Sequence, residues 1–276
     1  MFFGKRVNIR TGLSELVQKS SAGIHVTLAA IAAGIMPISG KFVIQFNAPV
    51  DVFGEYAFGM SLINIVTAFT SAAGLVIFPL LKRLKDKGLA DYFQTLSLAC
   101  NILLFAAMFA YLPCRWLIQH VIPEYMPVLE YLHVLLIICV PLGRLQLLLL
   151  PYFKALRLER NYFIANIIGV VVMIAVTWLS YSLTQEILAV ALTSTLIYAL
   201  WSVILEVYLT KKLGNQTHHC FDQSVNIIMM CAFVLCASSG GLVRFGISYG
   251  IVYCVYLALR WKDVKMLLKM LKAREG

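Results

Sequence analysis

The sequence predicts an all-α protein, a polytopic bundle of about eight transmembrane helices with both termini in the cytoplasm. Two observations predict this fold. Hydrophobic residues make up 61% of the chain and charged residues only 13%, about half the charge of an average soluble domain. The apolar residues also form eight long runs, and the segments between these runs are alternately rich and poor in Lys and Arg.

Each apolar run is long enough to cross a bilayer as a helix. A spanning helix needs about 20 mostly apolar residues. The runs are apolar on all sides, unlike the alternating strands of a membrane barrel. The predicted spans cover residues 21–45, 55–81, 91–113, 127–151, 161–183, 185–209, 224–241 and 243–260.

The segments outside the spans fit this scheme in order along the chain. Residues 1–20 form a basic cytoplasmic arm or a former loop between two lobes, and an acidic turn with Asp51 and Glu55 follows span one. The connection at 114–126 is rich in aromatic residues, as expected at a membrane interface. Pro141 should kink span four. A tight hairpin at 238–241 should join the last two spans.

The basic residues orient the bundle. Nineteen of the 23 Lys and Arg residues lie in the first segment, the tail and three alternate loops. Short basic loops stay in the cytoplasm, so both termini are predicted inside, as an even number of spans also requires. The net charge of +10 is thereby explained by topology and by attraction to anionic membrane lipids, and no nucleic-acid partner is expected.

The spans divide the chain into four predicted parts. Residues 21–213 form a six-helix lobe, and residues 214–260 add two further transmembrane helices. The arm 1–20 precedes the lobe, and a basic amphipathic tail, 261–276, should lie on the inner leaflet.

The sequence contains no recognisable catalytic apparatus. We find no Walker A loop, no Ser-His-Asp set and no pair of carboxylates at the end of a span. The seven cysteines lack metal-ligand spacing and mostly fall in spans, where they act as small packing residues. We therefore expect no enzyme activity, no catalytic residue, no cofactor and no metal site.

Arg144 is the strongest candidate for a functional residue. It lies about 10 Å from the cytoplasmic end of span four at 1.5 Å per residue, and a charge at that depth usually faces a cavity or a partner. Glu130, His133 and Pro141 fall with it in an arc of about 80°. These four residues form a polar stripe along span four. The stripe predicts either a helix that lines an aqueous cavity, with Arg144 binding an anionic substrate group, or an Arg bonded to a neighbouring helix.

Three other polar residues leave similar alternatives open. Lys41 lies near the outer end of span one, where it either faces the cavity or extends its ammonium group to the surface. Asn64 shares a face of span two with Thr67 and Ser71, which line the cavity or join helices. Glu206, near the inner end of span six, is expected to pair with Lys211 or interfacial water.

Several short motifs resemble one transporter family in their order and spacing. Gly40-Lys41-Phe42-Val43-Ile44 precedes Val52-Phe53-Gly54-Glu55-Tyr56-Ala57-Phe58, and Phe78-Pro79-Leu80 ends the second span. Pro123-Glu124-Tyr125 precedes span four, Tyr152-Phe153-Lys154-Ala155 ends it, and Asn161 opens span five. Over residues 20–260 the chain resembles the C-terminal lobe of the O-antigen and exopolysaccharide flippases, which belong to the multidrug/oligosaccharidyl-lipid/polysaccharide exporter superfamily.

The resemblance implies a function and a location. It implies translocation of undecaprenyl-pyrophosphate-linked oligosaccharide across the bacterial inner membrane, for synthesis of surface polysaccharide. It also implies two six-helix lobes around a cationic cavity, and carries Arg144 and Lys41 over as candidate substrate-binding residues. Glu130, His133 and Asn64 complete the candidate set from the residue pattern.

The chain departs from that family in two respects. Gly40-Lys41 stands where family members often have an acidic-basic pair, so no ion-coupling carboxylate is expected there. Full flippases have 12–14 spans, and alternating access rocks one lobe against another. We therefore expect a truncated product, half of a split transporter that binds a missing N-terminal lobe, or a homodimer, with truncation favoured.

Three other functions remain open. A drug/cation antiporter of the same superfamily would need a buried carboxylate for ion coupling, and Glu130 is the only candidate away from the cytoplasmic end. A membrane-embedded polymerase or acyltransferase would need a large outer loop, whereas the longest here has about 13 residues. A remnant or an assembly subunit would insert into the membrane without transporting anything.

Overall fold

The described residues are helical almost throughout. The computed structural model describes residues 31, 34–82, 86–214, 219–261 and 263–265, and they contain no strand. This confirms the all-α prediction. The helices are α1 (34–47), α2 (Val50–Lys82), α3 (Asp86–Ala107), α4 (Tyr111–His120), α5 (Leu129–Ile137), α6 (Cys139–Arg144), α7 (Leu150–Ala155), α8 (Glu159–Thr184), α9 (Ile187–Leu213), α10 (His219–Ser238) and α11 (Leu242–Leu259).

Six helical segments of this region are long and apolar enough to cross a membrane. They are Val50–Thr70, Tyr92–His120, Pro123–Ala155, Glu159–Thr184, Ile187–Leu213 and Leu242–Leu259, and a shorter apolar helix covers Asp222–Ser238. The six correspond to predicted spans two to six and eight, and the shorter helix to span seven. Length and composition thus support a membrane-embedded protein. Residues 21–30, 32 and 33 of span one, the arm 1–20 and the tail beyond residue 265 lie outside the described residues.

Span four is the central helix of the bundle. Its apolar window is 89% buried, whereas the windows of the other five candidate spans are 17–39% buried. The span runs through a 3₁₀ segment at Pro123–Val128, then α5, α6, a π-helical segment at Leu145–Leu149 and α7. α5 and α6 are separated at Ile138, one turn before Pro141. Proline has no N–H to donate to the preceding turn, but Ile138 keeps helical φ and ψ of −59° and −23°, so the kink at Pro141 stays a prediction.

A chain of contacts joins the basic segments at one end of the bundle. The Tyr152 hydroxyl, near the end of α7, donates to the Leu89 carbonyl of α3 over 3.0 Å. Phe153 stacks on Tyr208 of α9, with ring centroids 6.1 Å apart. Arg260, after α11, forms an ion pair with Asp222 of α10. The start of α3 and the ends of α7 and α9 therefore lie at one end of the bundle, as the alternating charge pattern requires.

Three glycines shape the turn between α10 and α11 and the packing of α8 on α9. Gly240 and Gly241 have φ of +77° and +75°, a conformation that other residues adopt only at a cost. They turn the chain between α10 and α11 and confirm the tight hairpin. Gly169 of α8 lets the Trp201 ring of α9 pack closely, since a Cβ at residue 169 would lie 2.7 Å from that ring.

Candidate functional site

Arg144 lies at the centre of a buried polar cluster. It is the last residue of α6, directly before the π-helical segment, and is 3% exposed. Its Nη1 donates a hydrogen bond to Asn101 Oδ1. Its Nη2 donates to Ser97 Oγ over 3.3 Å and forms an ion pair with Glu206. Ser97 and Asn101 are four residues apart on α3, so both side chains face the same side of that helix.

Glu206 connects this cluster to a further helix. Its side chain is 2% exposed; one carboxylate oxygen accepts from Arg144, and the other accepts from Gln223 Nε2 of α10 over 2.5 Å. The sequence-based expectation that Glu206 pairs with Lys211 or interfacial water is therefore wrong. The helix extends to Leu213 rather than 209, so Glu206 lies about 10 Å from its end.

The ion pair compensates two charges that could not be buried singly. A charge deep in a membrane usually has a specific partner and a functional role. Removing one member of a buried pair costs about 3–5 kcal/mol because the other charge is left unpaired. Single π-helical turns also occur often at functional sites. The cluster is thus the strongest candidate site among the described residues.

A cavity of about 290 Å³ lies beside the cluster. It is bounded by α5, α6, α9 and α10, and both Pro141 and Arg144 contribute to its wall. The wall also includes Thr195, Ser202, Gln223 and Asn226, but the surface that it presents to the cavity is almost entirely apolar. This space therefore differs from the aqueous cavity that the polar stripe predicts. The guanidinium group is directed to protein acceptors instead, which is the alternative of an Arg bonded to neighbouring helices.

The predicted stripe on span four divides into two parts. Glu130 is exposed and His133 is half-buried, and neither lines the cavity that Pro141 and Arg144 contact. The prediction assumed 100° per residue along an unbroken helix. Ile138 keeps helical φ and ψ of −59° and −23°, and Val134 and Ile137 line the cavity on the same face as Pro141 and Arg144, so the face continues across Ile138 and Glu130 and His133 lie outside the cavity wall.

Lys41 and Asn64 also lie apart from Arg144. The Lys41 ammonium group lies 5.4 Å from the centroid of the Phe53 ring, a cation–π contact in the middle of α1. Asn64 is exposed on α2, and its backbone carbonyl oxygen accepts a hydrogen bond from the Thr67 hydroxyl group. Substrate binding by these five candidate residues stays a prediction, and the structure assembles only Arg144 into the cluster.

Sequence reasoning missed most of the cluster. Ser97, Asn101 and Gln223 carry no charge, and single polar residues are common in membrane helices. Glu206 had a usable signal, since a carboxylate in an apolar run is rare for the same reason as Arg144. The two opposite charges in separate spans could have been matched as a pair.

Asn226 is a second buried polar group at the cavity. It lines the wall and is 2% exposed, and neither its Nδ2 nor its Oδ1 has a hydrogen-bond partner. An unpaired buried amide costs about 1–3 kcal/mol. The position is therefore one where a bound molecule could supply the missing partner.

A second ion pair closes the same end of α10 and α11. Arg260 contacts both Asp222 and Asp263. Burial lowers the pKa of Arg260, but its hydrogen bonds to Asp222 and Asp263 and the charge of Asp222 outweigh burial and raise the pKa above its ordinary value. The guanidinium group therefore stays charged.

Comparison with known proteins gives no relative. No family model, no curated protein and no solved structure matches the chain. Within the described residues there is also no group of three or more His, Cys, Asp or Glu side chains that could hold a metal ion.

Proposed function

We propose that the chain is one lobe of a bacterial inner-membrane flippase for undecaprenyl-pyrophosphate-linked oligosaccharide. The order and spacing of the motifs between residues 20 and 260 support this proposal. One structural observation carries it further: the central span holds a buried arginine, Arg144, paired with Glu206. Such a pair inside a membrane bundle is a functional site by default.

The cluster suggests how an anionic group would be bound. In the described state, Glu206 neutralises Arg144, and Asn101 and Ser97 accept from the guanidinium group. A pyrophosphate would have to replace the carboxylate as the partner of Arg144. Glu206 would keep its bond from Gln223 and would lose its contact with the guanidinium group.

A complete flippase requires a second lobe. The exposed face of α2, which includes Ser61, Asn64 and Phe69, offers an uncovered surface for a missing N-terminal lobe or a second copy. Lys41, in the middle of α1 and 5.4 Å from the centroid of the Phe53 ring, would add positive charge to the space between the lobes. The described lobe would then move against its partner during alternating access.

The test uses a strain whose surface polysaccharide depends on this gene. The gene is deleted and replaced by wild type, by the neutral double variant Arg144→Gln/Glu206→Gln, or by Arg244→Gln, an exposed charge used as the control. We expect the double variant to reach normal membrane levels and to lose surface polysaccharide. Lipid-linked oligosaccharide should accumulate on the inner leaflet. Normal polysaccharide with the double variant would refute a role for the pair.

A drug/cation antiporter is the second candidate, because Glu206 is the buried carboxylate that ion coupling needs. For that function, Glu206→Gln should abolish proton- or sodium-driven cation efflux in proteoliposomes, while deletion of the gene leaves surface polysaccharide unchanged. If the chain is a remnant or an assembly subunit, neither surface polysaccharide nor cation efflux should change. Polysaccharide and efflux measurements on the same strains therefore separate all three functions.

A further inference from the structure

The apolar cavity beside Arg144 opens towards the membrane. Leu196 and Leu200 of α9 are 61% and 64% exposed, and Ile227 of α10 is 50% exposed, although all three belong to the cavity wall. They lie on helices that are long or apolar enough to be embedded in a bilayer. The mouth between α9 and α10 therefore faces hydrocarbon, and a lipid chain can enter from the side.

The size and lining of the cavity suit a hydrocarbon chain. Its volume of about 290 Å³ lies just below the range for small-molecule sites, about 300–1,000 Å³. Water gains few hydrogen bonds in such an apolar space. Met230 and Val234, one and two turns beyond Asn226 on α10, continue the apolar wall away from the helix start.

Asn226 provides the polar end of the cavity. Its amide is buried without a partner and lies seven residues after the first residue of α10, about 10 Å along the helix. The apolar part of α10 begins at Asp222, about 6 Å before Asn226. The polar interface on each side of a bilayer is about 5–8 Å thick, so the amide lies near the border where the ester carbonyls of glycerolipids are found. The Nδ2 group of Asn226 can donate to such a carbonyl, which leaves Oδ1 for a hydroxyl group or a water molecule near the head group.

The nearby surface is positively charged. Lys211 and Lys212 are exposed in the last turn of α9, at the same end as the start of α10. The carboxylates of Asp222 and Asp263 are bonded to Arg260, and that of Glu206 to Arg144. The two lysines therefore favour an anionic head group over a neutral one.

We propose that this groove is a binding site for an anionic glycerophospholipid. One acyl chain occupies the cavity, the ester carbonyl accepts a hydrogen bond from Asn226, and the phosphate lies near Lys211 and Lys212. The proposal does not depend on the flippase function, since it concerns the outer, lipid-facing side of the lobe.

The test is lipid retention by the purified full chain. Delipidated protein is titrated with phosphatidylglycerol or with phosphatidylcholine of the same acyl chains, and bound lipid is counted by native mass spectrometry. We expect one phosphatidylglycerol to bind at least tenfold more tightly than phosphatidylcholine. Replacing both lysines by Gln should remove that preference. Equal binding of the two lipids by the wild type would overturn the anionic specificity.

Two variants test the cavity and the amide separately. Asn226→Leu removes the hydrogen bond and should weaken phosphatidylglycerol binding about tenfold. The same variant should raise Tm in lipid-free detergent, because an unpaired buried amide is removed. Ala199→Phe fills the cavity and should prevent binding while Asn226 stays in place. Asn47→Leu, an exposed amide near the opposite end of the bundle, is the matched control. Unchanged phosphatidylglycerol binding in both Asn226→Leu and Ala199→Phe would overturn the site.

Discussion

The Arg144–Glu206 pair allows a quantitative prediction about stability. Arg144→Gln leaves the Glu206 carboxylate, which is 2% exposed, without the guanidinium group of Arg144, while Gln223 still donates to it. Glu206→Gln leaves a buried guanidinium group with only the neutral acceptors of Asn101 and Ser97. Each single variant should lose about 3–5 kcal/mol of unfolding free energy, the usual cost of breaking a buried pair.

The double variant should be more stable than either single variant. With both charges removed, the two glutamine amides can hydrogen-bond to each other and to the remaining partners, and the loss should fall to about 1–3 kcal/mol. The double-mutant cycle therefore predicts an interaction free energy between residues 144 and 206 of at least about 3 kcal/mol. This value is at the upper end of those measured for residues in contact. This corresponds to more than a hundredfold change in the unfolding equilibrium.

Reversible unfolding in mixed detergent and dodecyl sulfate micelles, followed by circular dichroism, measures these free energies. Arg244→Gln serves as the control, since it removes the same charge from an exposed position and should change stability by less than about 0.5 kcal/mol. A double variant that loses the sum of the two single losses would refute the reasoning, because the two charges would then act independently.

Two further predictions concern packing and topology. Gly169→Ala should lower the unfolding free energy by about 1–3 kcal/mol, because its Cβ would meet the Trp201 ring. Gly250→Ala, with open space around the new Cβ, should instead be neutral or stabilising by up to about 1 kcal/mol; equal Tm values for the two variants would contradict this packing. A cysteine at Ser239 should react with an impermeant maleimide in intact cells, and one at Arg157 only after permeabilisation, with the wild type as the background control. The reverse pattern would invert the predicted orientation.

The helices were predictable because the apolar character that identifies a spanning helix is summed over many residues. A run of 20 apolar residues identifies a membrane helix whatever its neighbours are, and five of the predicted spans overlap long helices from α2 to α9. The Ser238–Gly241 connection was predictable as well, because paired glycines favour a tight turn. These features depend on local sequence alone.

The candidate site was less predictable because it depends on which helices meet. The isolated charge of Arg144 identified the position, but not the direction of the guanidinium group. Its partners lie 43 to 62 residues away in the chain. Glu206 was misjudged because its helix runs four residues further than expected, which changes its depth by about 6 Å.

The order of the cluster along the chain has a consequence for synthesis and membrane insertion. Arg144 leaves the ribosome 62 residues before Glu206, an interval of about 3–12 s at 5–20 residues per second. Ser97 and Asn101 have already been synthesised by then. Their side-chain oxygens can accept hydrogen bonds from the Arg144 guanidinium group as span four enters the bilayer. In this way α3 can stabilise the buried arginine until Glu206 has been synthesised.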